Sequence, residues 1–445
     1  MPVIGSALFL LWLLAAIVSL VCIRDVFSPD KLIITALGVF FADIYVSPYS
    51  EEVLLSYVLL VLAFITTVIV LAPTVRHIDV QVDQFQRPRT DSPSKTLAVG
   101  HGFFWAISVP ALAAQVAMIA NFGGFEGYIN VLAMRVIEFQ GLGWLTAIIQ
   151  TFAIVDLVYF AFVVTRRQPQ RAAWMIYSLH LLVFVILALL TGSRGSLLVN
   201  FVLMAMIHHH LVKQARLRWL VMVAVSTLLV ASVLEVAREG VSIGDDGLTT
   251  GLSEINAAES NVGLAWTAYG TTPLELVLDA QYVNKHYGFT YLTWFTNMVP
   301  RAFWPDKPDS GGVVLTKEYT GDAWGGSSHL STGILPEAII NFGQVTGLVV
   351  GILQLVLILS VLLVLYTRYK KRFARRGRYA FIDGVRFCYI NWAMMGLIVG
   401  EFTNIMLTLT AQLFTVWVTF AAIRFGESHW SGARAAAGIK GITIA

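Results

Sequence analysis

The chain has 445 residues, 57% of them hydrophobic and only 13% charged, with a formal net charge of +3. Soluble chains carry about 25% charged residues, so this composition excludes a disordered or nucleic-acid-binding protein and points to the bilayer. Two cysteines, Cys22 and Cys388, both lie in apolar stretches and offer neither a disulfide framework nor a metal site.

A bilayer core takes about 20 apolar residues per helix. On that scale the sequence predicts spans at Val3–Ile23, Leu32–Val46, Val53–Leu71, Leu97–Ala120, Leu142–Val164, Ala172–Leu190, Gly195–Val212, Trp219–Val236, Val345–Tyr366, Phe381–Gly400 and Ile405–Ile423. The expected fold is an all-α polytopic membrane protein of about 11 transmembrane helices. The chain reads as a single membrane-embedded domain with one large loop, residues 237–343, and no second domain. The N-terminal span has no basic flank and reads as a retained helix rather than a cleaved signal.

Lys and Arg concentrate in alternate connections: Arg24 with Lys31, Arg76 to Lys95, Arg166 to Arg171, Lys213 to Arg218, the run RYKKRFARRGR at 368–378, and the C-terminal tail. The positive-inside trend puts these in the cytoplasm and residues 237–343 outside. Arg135, Arg194, Arg238, Lys285, Arg301, Lys307 and Lys317 then remain on the outer side. Cations kept against that trend suggest an anion at the outer surface.

Three outer stretches can carry chemistry. In TGSRGS, residues 191–196, glycines flank Arg194 and a helix start follows, which suits close approach of an anion. In PRAFWPDKP, residues 300–308, Arg301 can grip a phosphate bidentately and Lys307 adds a point charge. Trp304 there, with Trp294 and Tyr291 upstream, offers rings to stack on a sugar face, or, with Arg301, an ordinary anchor at the membrane interface. Arg238 and Arg135, at helix–loop junctions, could join the same anion site or be ordinary flanking charges. The loop closes on HLSTGILPEAIINFG, residues 329–343, where His329 or Glu337 could deprotonate a hydroxyl. Glu337 follows Pro336 and could equally be a dipole-favoured acid at a helix start.

Two ionisable groups fall inside predicted spans. Asp156 and His180 sit at similar depth on consecutive helices, and a mutual structural pair is expected. His208–His210 closes a helix without further spaced ligands, so no metal site is expected. Neither a Walker loop nor a dinucleotide fingerprint is present, so ATP is not expected as a fuel.

The runs GFTYLTWFTNMVPRAFWPDKP and HLSTGILPEAIINFGQVTG, with TGSRGSLL, resemble bacterial oligosaccharide repeat-unit polymerases of the Wzy or O-antigen polymerase type. The resemblance spans about Ala172 to Gly347 in motifs and the whole chain in helix count. It implies a GT-C-like membrane glycosyltransferase, inverting and metal-independent, without cofactors. Its donor and acceptor would be undecaprenyl-pyrophosphate-linked oligosaccharides, and a chain-length regulator protein would be a partner. On that reading Arg194, Arg301, Arg238, Lys307 and Arg135 hold pyrophosphate while Glu337 or His329 takes the acceptor proton. The alternatives are an O-antigen ligase and, from another class, a transporter or flippase for lipid-linked glycan.

Overall fold

The computed structural model describes residues 2–85, 101–132, 138–139, 141–165, 171–191, 194–215, 241–244, 247–250, 268–281, 283–299, 303–304, 306–321, 330–376 and 381–436. The predicted span Trp219–Val236 and the candidate residues Arg135, Arg238, Arg301 and His329 lie outside them. Arg194 opens a helix, but its side chain is not among those described.

In chain order the helices are α1 (Pro2–Cys22), α2 (Pro29–Val39), α3 (Glu51–Phe85), α4 (His101–Asn121), α5 (Phe125–Val131), α6 (Gly143–Val164), α7 (Arg171–Leu190) and α8 (Arg194–Leu211). They continue as α9 (Thr271–Leu278), α10 (Phe289–Thr296), α11 (Gly311–Tyr319), α12 (Ile334–Phe342), α13 (Gln344–Arg376), α14 (Phe381–Gly396) and α15 (Phe402–Ala436). One antiparallel hairpin, β1 (Val241–Gly244) with β2 (Gly247–Thr250), is an addition to the all-α expectation.

Seven of the described helices are long and apolar enough to cross a membrane: α1, α3, α4, α6, α7, α13 and α15. The chain is therefore a membrane-embedded helical protein. Two other predicted spans are shorter than expected, and a third, Gly195–Val212, is found at its expected length. α2 stops at Val39 and gives way to a 3₁₀ turn at Ala42–Tyr45, where Asp43 needs polar partners and finds the hydroxyls of Tyr49 and Thr271. α8, Arg194–Leu211, is an apolar helix that matches the predicted span to within one residue at each end. α14 ends at Gly396, and the turn Leu397–Gly400 separates it from α15.

Cross-chain contacts sort the helix ends into two levels. At one end Arg76 on α3 donates to the Cys22 carbonyl closing α1 (Nε–O 2.8 Å), and Lys370 on α13 meets Asp25 after α1 (3.1 Å). Arg372 on α13 faces Asp383 at the start of α14 (4.0 Å). Most described basic residues gather at this basic end. At the far end Tyr128 on α5 bonds the Leu190 carbonyl closing α7 (2.7 Å), and the Phe402 N–H opening α15 meets Glu337 on α12 (2.9 Å). This segregation agrees with the charge pattern that set the orientation.

The tightest helix pair is α12 against α13, which double back on each other around Gly343 at φ +84°. Gly343, Gly347 and Gly351 are spaced by four, and the last two face α12. A Cβ on Gly347 would lie 2.4 Å from the Ile339 Cα, and one on Gly351 2.7 Å from the Leu335 side chain. Small residues on one stripe let two backbones approach where lipid supplies no hydrophobic drive. α12 is consequently buried almost throughout, from Ile334 to Asn341.

Candidate active site at the far end of the bundle

Glu337 is only 1% exposed, held in α12 between three other elements. Its Oε1 accepts from the Thr290 hydroxyl on α10 (3.0 Å), and its Oε2 from the Thr332 hydroxyl (3.1 Å) and the Phe402 N–H (2.9 Å). Phe402 is the first residue of α15, so its N–H is one of the donors a helix start leaves unmet. Glu337 caps that helix from outside, while Glu401, next in line, accepts from the Asn404 side chain (2.7 Å). Gly311 at the start of α11 closes the node, because a Cβ there would lie 2.9 Å from the Glu337 carboxyl. Gly333, at φ +72°, lets the α12 start meet backbone, and Ile334 N–H donates to the Ile398 carbonyl (3.3 Å).

Around the carboxyl, Asn341 joins the same network. Its Nδ2 donates to Thr290 Oγ (2.6 Å) and its Oδ1 accepts from Gly288 N–H (2.8 Å). Thr403 Oγ lies 2.5 Å from Thr293 Oγ. Burial, opposed by the Phe402 N–H and reinforced by the negative charge of Glu401, pushes the Glu337 carboxyl up to about 7. A buried acid at that value exchanges its proton near neutral pH, as a general base must.

The other described candidates are not gathered on this node. Tyr291 touches its edge, its hydroxyl bonded by Gln354 Nε2 of α13 (3.1 Å) and its ring against Phe402 (5.2 Å between centroids). Trp294 is half-buried with its ring against Phe295 (4.6 Å). Trp304 is 42% exposed, and half-buried Lys307 donates to the Val299 carbonyl (3.0 Å). A separate cavity of about 300 Å³ opens between α6, α7 and the start of α8, lined by Phe152, Phe184 and Leu187 with Thr146, Gln150, Thr191 and Ser196. Glu337 and its hydrogen-bond partners do not line it.

Asp156 and His180 meet as expected, Nδ1 to Oδ1 at 2.7 Å, both fully buried. Ser108 spends its own proton on the Phe104 carbonyl (2.9 Å), so it accepts from His180 Nε2 (2.9 Å). A proton is therefore shared between His180 Nδ1 and Asp156. Longer contacts from Tyr177 and Asn200, each 3.4 Å, complete the shell.

At the basic end, the sequence spacing gave His208–His210 no companion ligand, and the fold supplies one. Asp25, His209 and His210 each bring a potential ligand atom within 4.8 Å of the others. Ala215 N–H donates to His209 Nδ1 (2.8 Å), so Nε2 carries the ring proton and gives it to Asp25 (2.7 Å). Phe27 N–H (3.0 Å), the Tyr366 hydroxyl (2.5 Å) and Lys370 (3.1 Å) fill the rest of the carboxylate. Burial alone would raise Asp25, but the His209 hydrogen bond and the surrounding positive charge hold it well below the usual carboxylate range. The cluster's charge is thus balanced by Lys370, and it ties α1, α8 and α13 together.

Compared with family models, curated proteins and solved structures, the chain matches none. The functional reading therefore rests on the residues themselves. Thr290, Thr332, Thr403 and Glu401 escaped the sequence reading, since threonines and a lone acid in apolar surroundings carry no spacing signal. Asp25 escaped because its partners stand more than 180 residues away.

Proposed function

We propose that this protein is a membrane glycosyltransferase that polymerises undecaprenyl-pyrophosphate-linked oligosaccharide repeat units at the periplasmic face of a bacterial inner membrane. The observation that carries the reading is Glu337, a buried carboxyl titrating near 7 on a short helix at the end remote from the basic connections. The motif runs that resemble repeat-unit polymerases surround it in sequence. In the proposed step an acceptor hydroxyl attacks the anomeric carbon of the donor. The carbon–oxygen bond to pyrophosphate breaks, and the hydroxyl proton passes to Glu337. Arg194 and Arg301, with Lys307, Arg238 and Arg135, stabilise the charge on the departing pyrophosphate. His329 is the other candidate base, and Trp304, Trp294 and Tyr291 the candidate sugar contacts.

One feature favours a second reading. α12, only nine residues long, starts in the far part of the bundle beside a polar node, and short interrupted helices of this kind hold substrates and ions in transporters. The deciding experiment uses purified protein and lipid-linked repeat units without ATP or added metal. A glycan ladder that disappears in Arg301→Ala supports the polymerase. Translocation of the lipid-linked unit across vesicles with no ladder would replace it with the transporter.

A further inference from the structure

α10 lies in the loop that the charge pattern places outside the membrane, yet it exposes large apolar side chains. Phe289 is 57% exposed, Leu292 53%, Phe295 57% and Met298, just beyond its end, 52%. The opposite face is polar and satisfied, Thr290 and Thr293 being buried against Glu337 and Thr403. A water-facing helix would carry the reverse pattern.

The depth of α10 follows from its contacts with α13. The apolar run of α13 ends at Arg368, which is exposed and marks the edge of the hydrocarbon at the basic end. Gln354, which holds the Tyr291 hydroxyl, stands about 21 Å above Arg368 at 1.5 Å per residue. The hydrocarbon core is about 30 Å thick, so Gln354 lies roughly 9 Å inside its other edge, and any tilt of α13 lowers it further. The start of α10 is higher, since Gly288 N–H bonds Asn341 near the turn that begins α13. α15 gives an independent check. Exposed Arg424 marks the basic edge on α15, and Phe402 and Thr403, on which α10 packs, stand about 33 Å above it, at the outer edge of the hydrocarbon. α10 is thus held at the outer edge of the hydrocarbon by α15 and reaches about 9 Å inside it through the Tyr291 contact with Gln354.

We infer that residues 288–299 form a re-entrant wedge whose exposed face, Phe289, Leu292, Phe295 and Met298, contacts the acyl chains of the leaflet remote from the basic end. The surface continues the lipid-facing stripe of α13, where Val349 is 53% exposed, Leu353 60% and Leu357 63%. Backbone at this depth is tolerated because α10 bonds within itself and its buried Thr290 and Thr293 hydroxyls are held by α12 and α15. The occupant is the bilayer itself, so this inference stands apart from the proposed activity.

The test places single nitroxides at Leu292→Cys and Phe295→Cys in a Cys22→Ala/Cys388→Ala background. The protein is reconstituted in phosphatidylethanolamine–phosphatidylglycerol vesicles. Leu357→Cys serves as the lipid reference and Glu51→Cys, at the exposed start of α3, as the aqueous one. Both α10 labels are expected to collide freely with oxygen and to lose access to a water-soluble nickel chelate to the extent seen at Leu357. Chelate access equal to that at Glu51 would overturn the wedge. Protection from both reagents would also overturn it, assigning the face to a second copy or another protein. Both substituted residues are surface residues, and an unchanged gel-filtration profile for each variant confirms the fold being read.

Discussion

Replacing Glu337 with Gln removes one ionisable group and keeps the shape of the node. The carboxyl rises from 4.5 to about 7 on folding, which corresponds to about 3 kcal/mol between its two protonation states. The sign follows from which state holds the proton. Below pH 4.5 both folded and unfolded chains are protonated, and the group contributes nothing. Between 4.5 and 7 the unfolded chain gives up its proton first, so native stability falls as pH rises. Above 7 the full penalty remains. Gln cannot ionise, still offers an oxygen to Phe402 N–H, and can direct its amide toward Thr290 or Thr332, at a mismatch cost of about 1 kcal/mol. The variant should be slightly less stable than the parent at pH 4.5 and about 2 kcal/mol more stable at pH 8. Equilibrium unfolding in mixed micelles at several pH values reads this directly. If Glu337 is the base, the same variant should lose turnover while retaining lipid-substrate binding. A stability difference that does not change between pH 4.5 and 8 would refute the reasoning, because it would mean the carboxyl titrates no differently in the fold.

Three further outcomes are expected. His180→Leu should cost about 3–5 kcal/mol because it strands a buried Asp156 charge, whereas His180→Leu with Asp156→Leu should be milder than the summed single losses, as a double-mutant unfolding cycle would measure; additive losses would count against the pair. Gly347→Val should disrupt α12 against α13, since even a Cβ would meet the Ile339 Cα at 2.4 Å; loss of monodisperse protein is expected, and a normal unfolding midpoint would contradict the packing. Arg301→Lys should recover little of the glycan ladder lost in Arg301→Ala, because a point charge lacks the guanidinium fork, and full ladders from either variant would remove Arg301 from the pyrophosphate site.

Composition and periodicity alone determined that this chain lives in a bilayer, where its long helices run and which ends carry the positive charge. Those properties are local: a run of about 20 apolar residues has one stable solution in lipid, and Lys and Arg report their side by position alone. The pairing of Asp156 with His180 was also legible, because two helices joined by a short connection bring equal depths together. The tertiary structure decided the rest. Glu337 read as a candidate because it is a titratable group at the close of the outer loop, but that it caps α15 from α12 depends on partners at 290, 332 and 402 that no spacing relates. The short lengths of α2 and α14 were hidden by continuous apolar sequence, since hydropathy registers neither an Asp43 met by the distant Thr271 hydroxyl nor an apolar turn whose Ile398 carbonyl accepts from the distant Ile334 N–H. Asp25 gained its meaning only from His209 and Lys370. α10 read as part of an outer loop because eight residues are too few to span a membrane. Its depth comes from the helices it leans on, and so only the packed structure could assign it.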